Sequence, residues 1–218
     1  MADAALAGAL PMDAPRAGVP VLPALRPVVP GGLRPGSIVG VDGSGSASLG
    51  LALVAGVSQQ EGWCGIVGLP DLGVPAAVGM GAAPERLLLV DEPGEHWPDV
   101  VAALVEAVDL VLVNVPERPP NAAVRRLSAL ARKHGCVLAL TGAFARDWSG
   151  MRLRLRVAES DWQGLSDGHG VLRGRRARIV ADAPGREQGT WVWLPGPDGS
   201  VTPAEPVKPQ RPTLNVVA

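Results

Sequence analysis

Residues 37–53, SIVGVDGSGSASLGLAL, decide the fold of this 218-residue chain. A run suited to a β-strand, SIVGVD, leads into a turn rich in glycine and serine. The turn is followed by an Ala/Leu/Val pattern suited to a helix. A strand, a glycine turn and a helix N-terminus in this order present bare backbone N–H groups to an anion. The stretch therefore predicts a phosphate-binding loop.

This loop lacks the side chains that phosphate chemistry needs. The working motif is G-x-x-x-x-G-K-[ST], in which the lysine reaches the β- and γ-phosphates and the hydroxyl holds magnesium. Here a leucine stands at the lysine position and a glycine at the hydroxyl position, so we expect the architecture to survive and hydrolysis to be lost. The degenerate loop comprises Gly43, Gly45, Ser46, Ser48, Leu49 and Gly50.

A dinucleotide-binding turn is one alternative that the glycines leave open; a functional NTPase is another, although no lysine follows the loop until Lys133. The dinucleotide fingerprint places two residues between the second and third glycine, whereas four separate Gly45 from Gly50. The acidic residue after the second strand, Asp71, lies 28 residues beyond Gly43, which is far for ribose recognition. The spacing therefore disfavours this alternative.

The composition indicates one well-buried domain with tails. Hydrophobic residues make up 47% of the chain and charged residues 19%, and the net charge of −1 gives no global argument for binding nucleic acid or membrane. No apolar run approaches the roughly 20 residues that span a bilayer, and the acidic start does not resemble a signal peptide. We expect a cytoplasmic protein without a cofactor or metal, whose two cysteines, Cys64 and Cys136, are buried free thiols.

The chain alternates strands and helices up to about residue 142. The strands are continuously apolar, as expected when helices cover both faces of a parallel sheet, so the pattern predicts a doubly wound α/β fold. After residue 151 the pattern has period two, which predicts a C-terminal antiparallel extension. Predicted strands cover 37–42, 64–69, 87–91, 109–115 and 136–141, and predicted helices cover 46–60, 74–80, 97–108 and 121–134. The predicted domains are a flexible arm (1–30), the α/β domain (31–199) and a proline-rich tail (200–218).

The order of three segments, PGGLRPGSIVGVDG, EGWCGIVGLPD and DLVLVNVP, resembles the RecA core. In that family a catalytic glutamate, a Walker B aspartate and a nucleotide-sensing glutamine end three successive strands. The matching positions here hold Pro70 beside Asp71, then Asn114, then Thr141. The resemblance thus implies a RecA-like fold that is not an enzyme, because the charges that balance phosphates and hold magnesium are gone.

The segment from residue 22 to residue 199 most resembles the shortened, RecA-like ImuA-prime proteins of actinobacteria. The resemblance also rests on the segments RLRLRV, GHG-x-L-R-G-R-R and WLPGPDG. It implies an accessory role in translesion synthesis, induced mutagenesis and the SOS response to DNA damage. The implied partner is an ImuB-like Y-family pseudo-polymerase and, through it, an error-prone replicative-type polymerase, which would bring the protein to the nucleoid. A SulA-like inhibitor of cell division and a nucleotide-binding switch without hydrolysis remain alternatives.

Arginine and tryptophan side chains of the C-terminal extension are candidates for contact with DNA or a partner. A positive face could follow a phosphate backbone, but a solvated sheet edge, whose arginines deter strand aggregation, is the simpler explanation, and contact with a protein partner is another. We expect DNA contact to be weak or indirect, and no RecA-type filament, because the proline-broken residues 1–30 offer no long amphipathic helix. The candidates are Arg152, Arg154, Arg156, Arg175, Arg176, Trp191 and Trp193, together with Leu214 and Val216 of the tail.

Overall fold

The computed structural model describes residues 18–166 and 169–206. Its strands are β1 (Ile38–Gly43), β2 (Cys64–Val67), β3 (Leu87–Val90), β4 (Leu110–Asn114), β5 (Val137–Thr141), β6 (Leu153–Ser166), β7 (His169–Ala183), β8 (Arg186–Trp193) and β9 (Thr202–Pro203). Its α-helices are α1 (Ser46–Ser58), α2 (Val74–Gly79), α3 (Trp97–Val105) and α4 (Asn121–His134). Within the described residues these strands form one sheet in the order β3-β2-β4-β5-β1-β6-β7-β8-β9.

The half of the sheet from β3 to β6 is parallel, and helices cover both of its faces. Leu110 and Leu112 of β4 join a core cluster with α1 and α2, whereas Val111 and Val113 join a second cluster with α3 and α4. Because successive side chains point to opposite faces, a strand covered on both sides must be apolar throughout. The predicted doubly wound fold and its helix and strand order are confirmed, with element ends shifted by a few residues.

The antiparallel extension consists of β6 to β9. Strand β6 begins as a parallel neighbour of β1, and the last pair between them is Gly43 with Val157. Beyond that pair β6 continues as a hairpin with β7, and its register shifts between Val157 and Glu159 and between Gln163 and Leu165. The hairpin therefore projects past the carboxyl end of β1, where the glycine loop lies.

The N-terminal segment is a correction to the predicted arm of residues 1–30. Residues 1–17 lie outside the described residues. The apolar side chains of residues 18–33 belong to the core, and Val19 and Leu33 form an antiparallel β-bridge. Val21 and Leu22 cross α1 at Gly56, where a Cβ would lie 2.7 Å from the Val21 Cα. Prolines prevent a regular helix here, but they do not prevent the apolar side chains between them from being buried.

The predicted tail also begins too early. Val201 is buried, β9 pairs with β8, and the Ala204 N–H donates to the Trp191 carbonyl oxygen at 2.9 Å. The β8–β9 end of the sheet packs on the N-terminal segment, since Leu194 and Val201 share one core cluster with Leu22. The globular unit thus extends beyond residue 199, whereas Leu214 and Val216 lie outside the described residues. None of the described helices is long and apolar enough to cross a membrane.

Candidate functional site

Some of the predicted site residues meet at the carboxyl ends of β2, β4, β5 and β1, the edge at which open α/β sheets bind ligands. The Asn114 Nδ2 donates to the carbonyl oxygen of Gly68, just after β2, at 3.1 Å. Asn114 pairs in register with Thr141, whose Oγ1 donates to the Oγ of Ser46 at 3.4 Å. Neutral side chains therefore connect these strand ends, and an amide stands at the position where RecA-type sites carry the Walker B aspartate.

The glycine loop is a short turn rather than a wrapping loop. It consists of residues 43–45, and α1 begins immediately afterwards at Ser46. Gly43 and Gly45 have φ values of 92° and 90°, a left-handed conformation that other residues rarely adopt. Gly45 is also the N-cap of α1 and supplies no capping side chain. The first-turn N–H groups of α1 are thus left for another acceptor.

The structure removes Leu49 and Gly50 from the predicted loop. Both lie inside α1 and are buried, Leu49 completely, and a Cβ on Gly50 would lie 2.8 Å from the Leu112 side chain. Ser48 lies in the first turn of the same helix and is half-buried. The motif count places the lysine position one turn inside α1, where a side chain faces the core instead of the loop.

Asp71 does not join this line of contacts in the structure. It lies exposed in the turn between β2 and α2, together with Pro70. A cleft of about 450 Å³ opens beside Gly68 and Asn114, and its rim carries three acidic side chains, Asp91, Glu95 and Glu117. Carboxylates at this rim disfavour the phosphates of a nucleotide. No group of three or more residues suited to a metal ion occurs within the described residues.

The predicted positive face of the extension is a face of ion pairs. Arg156 lies 3.0 Å from Asp182, Arg176 lies 3.0 Å from Asp161, and Arg154 lies 3.5 Å from Asp42. Cross-strand pairing of the same kind joins Arg178 to Glu159 and Arg156 to Glu187. Acids and arginines alternate across neighbouring strands, so this face has little net charge to attract DNA. Arg152 precedes β6 and is exposed.

Trp191 and Trp193 lie half-buried on one face of β8, as predicted. The Arg176 guanidinium lies 5.8 Å from the centre of the Trp193 ring, a cation–π contact. Half-buried tryptophans beside arginines are typical of the residues that dominate binding energy at protein interfaces. This arrangement keeps the two tryptophans as candidates for partner contact.

Arg175 is not a surface residue, which is a further correction. Its exposed fraction is 4%, its Nε donates to the Leu194 carbonyl oxygen at 2.8 Å, and its guanidinium lies 5.4 Å from the centre of the Trp162 ring. The guanidinium rests on the glycine loop, because a Cβ on Gly45 would overlap it. Burial lowers the pKa of Arg175. Sequence reasoning grouped Arg175 with the surface arginines, although it alternates with Ala177 and Ile179 on the buried side of β7 and could have been assigned to that side.

Comparison with known proteins gives the family and the fold. The family described as MT3502 N-terminal domain matches residues 27–150, more than half of the chain. The chain belongs to this family. The uncharacterized protein Rv3395c of Mycobacterium tuberculosis is 42% identical over 132 residues, which cover 60% of this chain and 62% of that protein. The match thus spans less than two thirds of the relative's length.

A solved structure shows the same fold at low sequence identity. The crystal structure of the RadB recombinase matches with a TM-score of 0.59 and 16% identity, covering 84% of this chain and 97% of that chain. The predicted RecA-like fold is therefore confirmed, and at this identity the likeness carries the fold alone.

Proposed function

We propose that this protein is a non-catalytic RecA-like accessory factor of a translesion synthesis complex. In this role it would bind an ImuB-like pseudo-polymerase and act in DNA-damage tolerance and induced mutagenesis. The proposal combines two supports: the sequence resemblance to ImuA-prime proteins and the chemistry at the carboxyl edge of the sheet. Both supports are consistent with the RecA-like fold.

The single observation that carries the non-catalytic part is the contact of Asn114. Its amide donates to the Gly68 carbonyl oxygen and so ties the end of β4 to the end of β2. A carboxylate at this position would repel the carbonyl oxygen that the amide now holds. Gly142 packs against the Asn114 side chain, since a Cβ there would overlap its Oδ1. The position that holds magnesium in RecA-type enzymes is thus used here as a structural link.

The partner-binding part is supported by the surface of the antiparallel extension. Its charges are balanced within the protein, and Trp191 and Trp193 stand among them, a combination that suits a protein partner better than a polyanion. The predicted contribution of the tail residues Leu214 and Val216 lies outside the described residues and stays a prediction.

Copurification with an ImuB-like protein tests this role. The full chain should capture the partner, and a double variant, Trp191→Ala with Trp193→Ala, should capture less while keeping its melting temperature within a few degrees. Arg125→Ala is a matched control, because this exposed side chain lies on α4, away from the extension. Absence of capture by the full chain would refute the proposal, and capture by the double variant equal to that of the control would move the interface elsewhere.

A further inference from the structure

The buried guanidinium of Arg175 and the open N-terminus of α1 converge on the glycine loop. Arg175 lies on β7, where its backbone N–H donates to the Pro195 carbonyl oxygen at 2.8 Å and its carbonyl oxygen accepts from the Leu194 N–H at 2.7 Å. These bonds hold the backbone of Arg175, and the Nε bond to the Leu194 carbonyl oxygen holds its side chain. The guanidinium is therefore held against Gly45 rather than resting there by chance.

This cation has no counter-charge among the described residues. None of the ion pairs found there involves Arg175, and its Nη2 is buried without a hydrogen-bond partner. The ring of Trp162 covers one side of the guanidinium but offers only a weak cation–π attraction. Buried arginines are ordinarily paired or fully hydrogen-bonded, so an orphaned donor at this depth indicates a missing acceptor.

The helix beside it adds positive potential of its own. The N-terminus of α1, which is 13 residues long, carries the positive end of the helix dipole. No side chain caps it. The loop is accessible to solvent, because Gly43, Ser44 and Ala47 are exposed. An anion can thus approach the loop, next to which the guanidinium lies against Gly45.

We propose that Arg175 and the first-turn N–H groups of α1 form a binding site for a phosphate-type oxyanion. The site goes beyond the accessory role proposed above, and it needs neither the missing lysine nor a metal. Its cation comes from the antiparallel extension instead of from the helix, so anion binding would tie the β6–β7 hairpin to the glycine loop. Two sources supply such a group: a small phosphate compound and the backbone of a nucleic acid.

The test uses the full chain and four probes at matched ionic strength: inorganic phosphate, pyrophosphate, ADP and a single-stranded oligonucleotide. Binding is followed by calorimetry, and by tryptophan fluorescence, to which Trp162 should respond because it contacts Arg175. We expect saturable binding of inorganic phosphate or pyrophosphate. Tighter binding of ADP would indicate a nucleotide as the source, and tighter, strongly salt-dependent binding of the oligonucleotide would indicate a nucleic-acid backbone.

Four variants make the site falsifiable. Arg175→Met, which keeps an unbranched apolar stem and removes the charge, should raise the Kd for phosphate about tenfold or more, and Arg175→Lys should give an intermediate value. Arg178→Met is the matched control on the same strand, because Arg178 pairs with Glu159 and should bind phosphate as the unmodified chain does. Trp162→Phe should reduce the fluorescence change without abolishing the calorimetric signal. Absence of phosphate and pyrophosphate binding, or equal binding by Arg175→Met and Arg178→Met, would overturn the proposal, as would binding of an acidic peptide alone.

Discussion

Replacing Leu49 by lysine should destabilise the fold without creating a nucleotide site. The substitution restores the lysine of the phosphate-binding motif in the sequence. However, Leu49 is fully buried, inside α1 rather than in the loop. The change removes a buried leucine, which contributes about 1.5–3 kcal/mol. It also buries an amine, whose pKa can fall by about 3–5 units at about 1.36 kcal/mol each. The expected loss is thus about 5 kcal/mol or more, comparable with the whole stability of a small domain.

Urea denaturation followed by tryptophan fluorescence measures this loss, and calorimetric titration with ATP measures nucleotide binding. Leu49→Met is the matched control, since a volume-conserving apolar change should cost less than about 1.5 kcal/mol. A Leu49→Lys protein as stable as this control, with newly gained ATP binding, would refute the placement of residue 49 in the core and restore it to the loop.

Three further results are expected. Burial raises the pKa of Cys64 and of Cys136 to about 12, so the folded protein keeps both thiols protonated while the unfolded chain loses their protons near pH 8.5–9. Stability should therefore be full below that range and fall as the pH rises from about 8.5 toward 12, with a slope that approaches about 2.7 kcal/mol per pH unit for two thiols. A flat urea-denaturation profile over this range would contradict the prediction. A chain that ends at residue 199 loses Val201 and β9, so it should be less stable than one that ends at residue 206 by about 1.5–3 kcal/mol. Equal melting of these two chains would show that the β8–β9 pairing contributes nothing. Replacing Arg152, Arg154 and Arg156 by Gln should change DNA binding little in a filter-binding assay at physiological salt, because Arg154 and Arg156 are already ion-paired. A large loss of affinity with a flatter salt dependence would instead indicate a DNA-binding face.

The parallel half of the fold could be predicted from the sequence because burial on both faces leaves a clear pattern. Strand β4 is an example, because its leucines belong to one core cluster and its valines to the other. Only a strand covered on both faces needs apolar residues at every position. The helices between such strands then follow from spacing. The N-terminal segment could not be predicted in the same way, since apolar residues separated by prolines have no period although they are buried, Leu25 and Leu33 completely.

The candidate site was only partly predictable. Asn114 and Thr141 could be found because each ends a strand at the ligand-binding edge. The length of the glycine loop could not, because counting a motif does not reveal that α1 starts at Ser46 and carries Leu49 into the core. The burial of Arg175 could have been predicted from its alternation with Ala177 and Ile179, but its contact with the glycine loop could not, because that contact depends on how the β6–β7 hairpin extends past β1.

Steady-state release of phosphate from ATP with Mg²⁺, with and without single-stranded DNA, tests the central claim most directly. With an amide at the end of β4 and no lysine in the loop, several kcal/mol of transition-state stabilisation is missing. The account predicts a rate equal to the buffer blank under both conditions. DNA-stimulated hydrolysis by the full chain that disappears in an Asp71→Asn variant would contradict it.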